Sequence, residues 1–258
     1  MTRAIHFVFQ LALVLVLSQS TMAQGPVLPK PSKKPTGPMR PNIILIVADD
    51  LGYGDLGSYG QQYIKTPFLD LLAAEGIRFT QAYAGAPIGS ASRASLMTGL
   101  HTGHSYIRGN KNIPLRTSDI TIAEMLRQAR YKTLAFGKWG LGLENTTGEP
   151  FKKGFEHWAG FTTQEHADNY YPSFLWRFEP GIRGVNAYHG MLQIHRNREG
   201  RRVEYSQDLL TKAALNAIRI YRPAFDNKHQ SFFLYLSYTT PHANADLARK
   251  TGNGMEVP

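Results

Sequence analysis

The sequence contains no cysteine among its 258 residues. Disulfide bonds, cysteine-ligated zinc and iron–sulfur sites are therefore excluded, and so is a lipid anchor attached to a cysteine after a signal peptide. A long apolar run is also missing. The most apolar stretch, residues 5–17, is shorter than the about 20 residues that a membrane-spanning helix needs.

The N-terminus has the pattern of a secretory signal peptide. Arg3 precedes the apolar stretch, and Thr21 and Ala23 supply small residues at a cleavage site. We expect a signal peptide over residues 1–23 and an exported protein, periplasmic or secreted, with no further transmembrane segment. A single N-terminal anchor helix is the alternative. Residues 24–40 are rich in Pro and Lys and predict an extended linker.

Positive charge exceeds negative charge over the whole sequence. The formal net charge is +10, but no long Lys/Arg run concentrates it. Such a surface attracts polyanions, among them acidic polysaccharides and nucleic acids. Without a localised basic run we expect no specific nucleic-acid binding, and an ordinary basic protein is the plain alternative.

Apolar runs alternate with helical patterns after residue 41. Runs rich in β-branched and aromatic residues predict buried strands over residues 42–48, 133–136 and 231–238. Caps and apolar spacing predict helices over residues 66–76, 90–97, 121–130 and 206–221. The alternation predicts a doubly wound α/β fold, with the first strand buried on both faces. The region from Trp158 to Arg202 lacks a clear period and is predicted as an irregular excursion over the active-site face.

Two adjacent carboxylates, Asp49 and Asp50, end the first predicted strand. Ligands of open α/β sheets bind at the carboxyl ends of strands. Adjacent carboxylates repel each other unless a cation or hydrogen bonds offset their charge, and a hard cation such as Ca²⁺ or Mg²⁺ suits oxygen ligands. Capping of the following turn is the alternative reading.

Two segments resemble the sulfatase family. Residues 41–55, Pro-Asn-Ile-Ile-Leu-Ile-Val-Ala-Asp-Asp-Leu-Gly-Tyr-Gly-Asp, are similar to the opening of these enzymes, and residues 89–99 resemble the signature Cys-x-Pro/Ala-Ser-Arg-x-x-x-x-Thr-Gly. The resemblance is to arylsulfatase-A-like members of the alkaline-phosphatase-like superfamily. It implies a mixed, mainly parallel sheet flanked by helices. Residues 41–258 would be a partial N-terminal sulfatase domain, incomplete at the C-terminus.

The signature cysteine, which such enzymes oxidise to the formylglycine nucleophile, is replaced here by Gly89. Glycine has no side chain, so formylglycine cannot form at this position. The neighbouring Ser90 lies one residue out of register, and helix capping is its simpler role. Gly140 also replaces a His that many members have.

The resemblance assigns roles to other residues as well. It implies Asp49 and Asp50 as ligands of Ca²⁺, with Mg²⁺ as the alternative. It implies Arg93 and Lys138 for charge stabilisation and His242 for sulfate contact. A later strand ending in Asp-Asn would complete the metal site in the family. The two Asp-Asn pairs here, 168–169 and 226–227, do not follow buried apolar runs.

These features predict a sulfuric ester hydrolase by family whose own activity is lost or impaired. A non-catalytic binder of sulfated polysaccharide is the alternative, with a sulfate ester or sulfated polysaccharide as partner in either case. A phosphoryl-transfer relative that uses a metal-bound water is a third reading. It is disfavoured because such enzymes generally have Thr or Ser at the position of Gly89 and need more metal ligands than the sequence offers.

Overall fold

The computed structural model describes residues 40–181, 186–221, 230–244, 247–248, 252 and 254. The predicted signal peptide and nearly all of the predicted linker lie outside these residues. Within the described residues, no helix has the length and apolar character needed to cross a membrane.

The described residues form one sheet with helices on both sides. Its strands are β1 (Ile43–Asp49), β2 (Lys132–Lys138), β3 (His157–Phe161), β4 (Phe174–Glu179), β5 (Tyr188–Gln193) and β6 (Phe232–Pro241). The helices are α1 (Pro67–Glu75), α2 (Gly89–Thr98), α3 (Ile122–Gln128), α4 (Gln164–Ala167) and α5 (Ser206–Tyr221). Short 3₁₀ turns occupy Tyr53–Asp55, Gly57–Tyr59 and His195–Gly200.

The sheet has the strand order β1-β6-β2-β3-β4-β5. Strands β1, β6, β2 and β3 run parallel to one another, β4 is antiparallel to β3, and β5 is antiparallel to β4. The carboxyl ends of β1, β6, β2, β3 and β5 therefore lie along the same edge. This confirms the predicted mixed, mainly parallel α/β sheet, in which that edge is the usual ligand edge.

Strand β6, which lies between β1 and β2, carries a core on each face. Phe233 and Tyr235 belong to one apolar cluster, which also contains Trp139 and Phe155. Alternate β6 residues face the second cluster, together with the apolar face of α5. Because successive strand residues point to opposite faces, the continuous apolar run at 231–238 serves both cores, as a strand covered on both sides requires.

The start of α3 has the hydrogen bonds of a capping box. The Thr121 hydroxyl accepts a hydrogen bond from the Glu124 backbone N–H at 3.2 Å, and the Glu124 carboxylate accepts one from the Thr121 N–H at 2.9 Å. This reciprocal capping box satisfies two N–H groups that a helix start otherwise leaves unpaired.

The prediction that β1 is buried on both faces is wrong. Ile43, Leu45 and Val47 pack against the core, whereas Ile44 and Ile46 are 47% and 58% exposed. The physical reason is position. β1 is the terminal strand of the sheet, and no described element covers its second face.

The prediction of an irregular region from Trp158 to Arg202 is also wrong. The region contains most of β3, α4, the antiparallel pair β4 and β5, and the 3₁₀ turn. Strand β5 is mostly exposed on both faces, so its sequence has no apolar alternation. This strand is formed by backbone hydrogen bonding to β4, which does not require a pattern of apolar side chains.

Replacing Phe155 with Ala should lower the free energy of unfolding by about 3–5 kcal/mol, because it opens a cavity in the core. The Phe155 side chain is fully buried and its ring meets Trp139 edge-on at a centroid distance of 5.8 Å. Urea denaturation measures the change. Phe79→Ala, at a residue 65% exposed, should change stability by less than about 0.5 kcal/mol. Equal losses in the two variants would contradict the assigned core.

Candidate functional site

The sequence predicts six site residues, and they lie at the ligand edge of the sheet. The side chains of five of them contact one another in pairs, and the sixth, Gly89, has no side chain: Asp49 contacts Arg93 and Lys138, and Asp50 contacts His242. Asp49 and Lys138 are the last residues of β1 and β2, His242 follows β6, and Arg93 lies on α2. A cleft of about 290 Å³ opens here, lined by the ends of β1 and α2, with Asp49, Asp50, Gly89 and Arg93 among its residues.

Asp49 is the centre of a buried ion cluster. Its Oδ2 accepts a hydrogen bond from the Lys138 Nζ at 2.6 Å, and its Oδ1 lies 3.2 Å from the Arg93 Nη2. The side chains of Asp49, Arg93 and Lys138 are 11%, 4% and 2% exposed. The cluster ties the ends of β1 and β2 to helix α2.

The charges of this cluster do not cancel. Burial by itself raises the pKa of Asp49, but Arg93 and Lys138 together outweigh it and hold the pKa below its ordinary value. One carboxylate therefore faces two cations. In addition, the buried Arg93 Nε has no hydrogen-bond partner among the described residues. An unused N–H of a buried guanidinium beside a cleft is a donor that an anion can use.

His242 lies between two carboxylates. Its Nε2 is 3.6 Å from the Asp50 Oδ2 and its Nδ1 is 3.7 Å from the Asp168 Oδ1. Asp50 adopts a φ of 61°, a left-handed conformation that Asp tolerates. Burial raises the pKa of Asp168, and Lys138 and His242 offset only part of that effect. The sequence did not assign Asp168 to the site.

Gly89 begins α2 and faces the end of Arg93, one helical turn further on. A Cβ built on Gly89 would lie 3.0 Å from the Arg93 Nη1 and 3.3 Å from the Gln164 Oε1. Both neighbours are the far ends of flexible side chains, so a small shift would admit a side chain here. The position predicted for the nucleophile is thus at the site, and nothing projects from it.

Gln164 was not identified from sequence, yet it fills the space beside both unusual glycines. Its Nε2 would lie only 2.4 Å from a Cβ at Gly140, whose φ is +69°, and it donates a hydrogen bond to the Ser90 Oγ at 3.0 Å. No local signal marks this residue, since Gln at the start of a short helix is ordinary.

The interpretation of Ser90 as a helix cap is wrong. Ile88 is the N-cap residue of α2 and makes no side-chain cap bond. The Ser90 backbone N–H donates to the Asn110 Oδ1 at 2.9 Å. The hydroxyl of Ser90 accepts from Gln164 instead, because the loop after β3 brings that amide to the start of α2.

His166 lies on the short helix α4 and contacts the backbone near the start of β4. The His166 Nε2 lies 3.1 Å from the Phe174 carbonyl oxygen, and burial lowers the pKa of its ring, so the residue has a structural role. The pair Asp226-Asn227 falls outside the described residues.

The carboxylates of Asp49 and Asp50 have the oxygen chemistry that Ca²⁺ prefers, but two residues are fewer than the six to eight ligands it takes. Among the described residues, no group of three or more His, Asp or Glu side chains is arranged to hold a metal ion. Asp49 is also bound to two cations. The described residues therefore do not make a calcium site by themselves, and no chemical step is assigned to a metal.

Replacing Lys138 with Met should lower the free energy of unfolding by about 1.5–3 kcal/mol, because it removes a charged hydrogen bond to Asp49 while Arg93 still offsets the charge of that carboxylate. Urea denaturation measures the loss. The double variant Asp49→Asn/Lys138→Met should lose less than the sum of the single variants, since the paired charges are removed together. Strict additivity, or a loss below about 1 kcal/mol, would mean that the cluster behaves as a surface ion pair.

Comparison with known proteins places this geometry in a family. A family model described as Sulfatase matches residues 41–254. An N-acetylgalactosamine-6-O-sulfatase of Bacteroides thetaiotaomicron is 42% identical over 116 residues, which cover 43% of this chain and 23% of that protein. An arylsulfatase of Hemicentrotus pulcherrimus is 31% identical over 221 residues, which cover 80% of this chain and 38% of that protein.

The fold agrees with a solved structure. Ps i-CgsB, crystallised in complex with k-i-k-neocarrahexaose, matches with a TM-score of 0.58 and 33% identity, over 79% of this chain and 46% of that chain. The chain thus spans less than half the length of each of these three proteins. The family match over residues 41–254 covers most of the chain, and the chain belongs to the sulfatase family, whose members hydrolyse sulfuric esters.

Proposed function

We propose that this chain binds sulfated carbohydrate at the ligand edge of its sheet and does not hydrolyse it by the formylglycine route. Hydrolysis of sulfuric esters is the activity of its family. The relatives' names refer to carbohydrate ligands, N-acetylgalactosamine 6-sulfate in one case and neocarrahexaose in another. The proposal carries that class of ligand over to this chain.

The observation that carries the proposal is Gly89. It is the first residue of α2, one turn before Arg93, and no atom projects from it toward the cleft. Nucleophilic catalysis needs an activated side chain, and the described surroundings offer no substitute in register. The nearby Ser90 hydroxyl is buried and hydrogen-bonded to Gln164.

The parts of the site that attract an anion remain. Arg93 and Lys138 are two buried cations beside the cleft, and the Arg93 Nε is without an acceptor among the described residues. The first N–H groups of α2 add the positive end of a helix dipole. His242 supplies a further ring nitrogen. A sulfate group carries spread negative charge, and such preorganised donors favour it.

Two finer assignments belong to the proposal. Family members generally depend on a metal, and we assign Asp49 and Asp50 as two ligands of Ca²⁺, with Mg²⁺ as the alternative. The pattern of residues 1–23 supports export to the periplasm or beyond. Neither assignment is needed for anion binding by Arg93, Lys138 and His242.

Wild-type protein should release nitrophenol from 4-nitrophenyl sulfate no faster than the Lys138→Met variant, because position 89 has no nucleophile. A chromogenic assay over long incubation measures the release. Turnover clearly above that variant would contradict the reading of Gly89.

The same reading has a positive control. Gly89→Cys completes the pattern Cys-x-Ala-Ser-Arg, since Ala91, Ser92 and Arg93 are already present. Coexpression with a formylglycine-generating enzyme should then yield an aldehyde, detected by hydrazide labelling and mass spectrometry. Gly89→Ala should stay unlabelled. Failure of labelling in the Cys variant, with a known sulfatase labelled in parallel, would show that position 89 is not the modification position.

N-acetylgalactosamine 6-sulfate should bind the wild-type protein, and Arg93→Met should weaken binding at least about tenfold, because a hydrogen bond to a charged group contributes about 1.5–3 kcal/mol. Isothermal titration calorimetry measures both. His242→Ala removes a second side chain expected to contact the sulfate. That side chain is 28% exposed, so its removal leaves the buried ion cluster in place and should also weaken binding. Unsulfated N-acetylgalactosamine is the ligand control. Equal affinity for the sulfated and the unsulfated sugar would contradict the proposal.

A further inference from the structure

A second cationic feature lies beyond the cleft. Residues 195–202, His-Arg-Asn-Arg-Glu-Gly-Arg-Arg, form a 3₁₀ turn and its exit and contain four arginines. We call this segment the arginine turn. The side chains of Arg196, Arg198, Arg201 and Arg202 are all exposed. Glu199 is the one acidic residue within the segment, so the turn is strongly cationic.

The arginine turn sits on the ligand edge of the sheet. It follows β5 directly, and β5 runs in the same direction as β1, β6, β2 and β3. Four strand spacings separate β5 from β6. At about 4.8 Å per spacing, the turn begins about 19 Å from the end of the strand that precedes His242. A single sugar does not span that distance, whereas an oligosaccharide does.

A buried side chain holds the turn in shape. Asn197 is 2% exposed. Its Nδ2 donates hydrogen bonds to the Pro172 and Glu204 carbonyl oxygens, at 3.0 and 2.8 Å, and its Oδ1 accepts from the Val203 and Glu204 N–H groups, at 3.1 and 2.8 Å. Both the nitrogen and the oxygen of its side-chain amide are therefore hydrogen-bonded to backbone groups. The arginines therefore project from a fixed base, which lowers the entropy cost of binding.

Tyrosines connect the turn to the cleft. The Arg202 guanidinium lies 4.9 Å from the centroid of the Tyr171 ring, and that ring is 5.5 Å from the ring of Tyr205. The neighbouring Tyr170 hydroxyl donates a hydrogen bond to the His242 carbonyl oxygen. Cationic and aromatic side chains thus follow one another from His242 to the arginine turn.

We propose that the arginine turn is a second anion subsite, which takes a further sulfate group of the same linear oligosaccharide whose first sulfate lies at Arg93 and Lys138. The inference rests on the proposed function and deepens it, because it specifies a ligand several sugars long and sulfated more than once. Two linked contacts on one ligand raise its affinity above that of either alone. The complex of the similar Ps i-CgsB with a neocarrahexaose favours this ligand class over nucleic acid.

The test compares two matched double variants. Arg196→Ala/Arg198→Ala removes two charges from the arginine turn. Arg127→Ala/Arg219→Ala removes two exposed charges from the ends of α3 and α5, at the opposite edge of the sheet. Calorimetry at low ionic strength measures binding of k-i-k-neocarrahexaose and of N-acetylgalactosamine 6-sulfate to each. Urea midpoints confirm that both variants are folded.

The turn variant should bind the hexasaccharide about tenfold more weakly than wild type, because it loses two solvent-exposed ion contacts, each of which is weak by itself. Its affinity for the monosaccharide should stay within twofold. The control variant should bind both sugars like wild type.

An equal loss in the control variant, or none in the turn variant, overturns the subsite and leaves the proposed function intact if the monosaccharide still binds. If neither sugar binds wild-type protein, both proposals fail. A single-stranded DNA hexanucleotide that binds as tightly as the hexasaccharide, with the same loss in the turn variant, overturns the carbohydrate assignment.

Discussion

The buried pairing of Asp49 with Lys138 and Arg93 is the interaction on which the site depends. Three charged side chains are withdrawn from water at the junction of two strands and a helix. Loss of Asp49 would leave Arg93 and Lys138 buried without their carboxylate, which is far more costly than the loss of a surface ion pair. The cluster thereby fixes the geometry of the ligand edge.

Helical spacing connects this cluster to Gly89. Arg93 lies four residues after Gly89 on α2, so the two share a face of the helix. Because Asp49 holds one end of the guanidinium at 3.2 Å, another nitrogen of the group reaches to within 3.0 Å of where a side chain at position 89 would start. Under the proposed function, this is the place where the nucleophile of the family would lie. In this chain the same contact faces an open position.

The sequence predicted those parts of the molecule that local chemistry determines. The apolar run of β6, the amphipathic α5 and the Thr121 capping box all followed from residue type and spacing. Because parallel strands end at one edge, the predicted residues Asp49, Lys138 and His242 had to meet there. Gln164 could not be predicted, since its partner Ser90 is 74 residues away in the chain. Strand β5 could not either, because only backbone pairing defines it.

Gly89, Gly140 and Gln164 act as one packing unit. The Gln164 carboxamide occupies space that a side chain at either glycine would need, and Gly140 has in addition a left-handed backbone that L side chains rarely adopt. A change at one of the three positions therefore alters what the other two tolerate. The two glycines, which looked independent along the chain, are neighbours of a single amide.

The outer side of β1 has a consequence for the behaviour of the protein in solution. Its backbone pairs with β6 on one side only among the described strands, and Ile44 and Ile46 present apolar surface beside that unpaired edge. An exposed apolar edge strand is a template for strand addition. Self-association should therefore rise with protein concentration and begin at this edge, far from the arginine turn at the other end of the sheet.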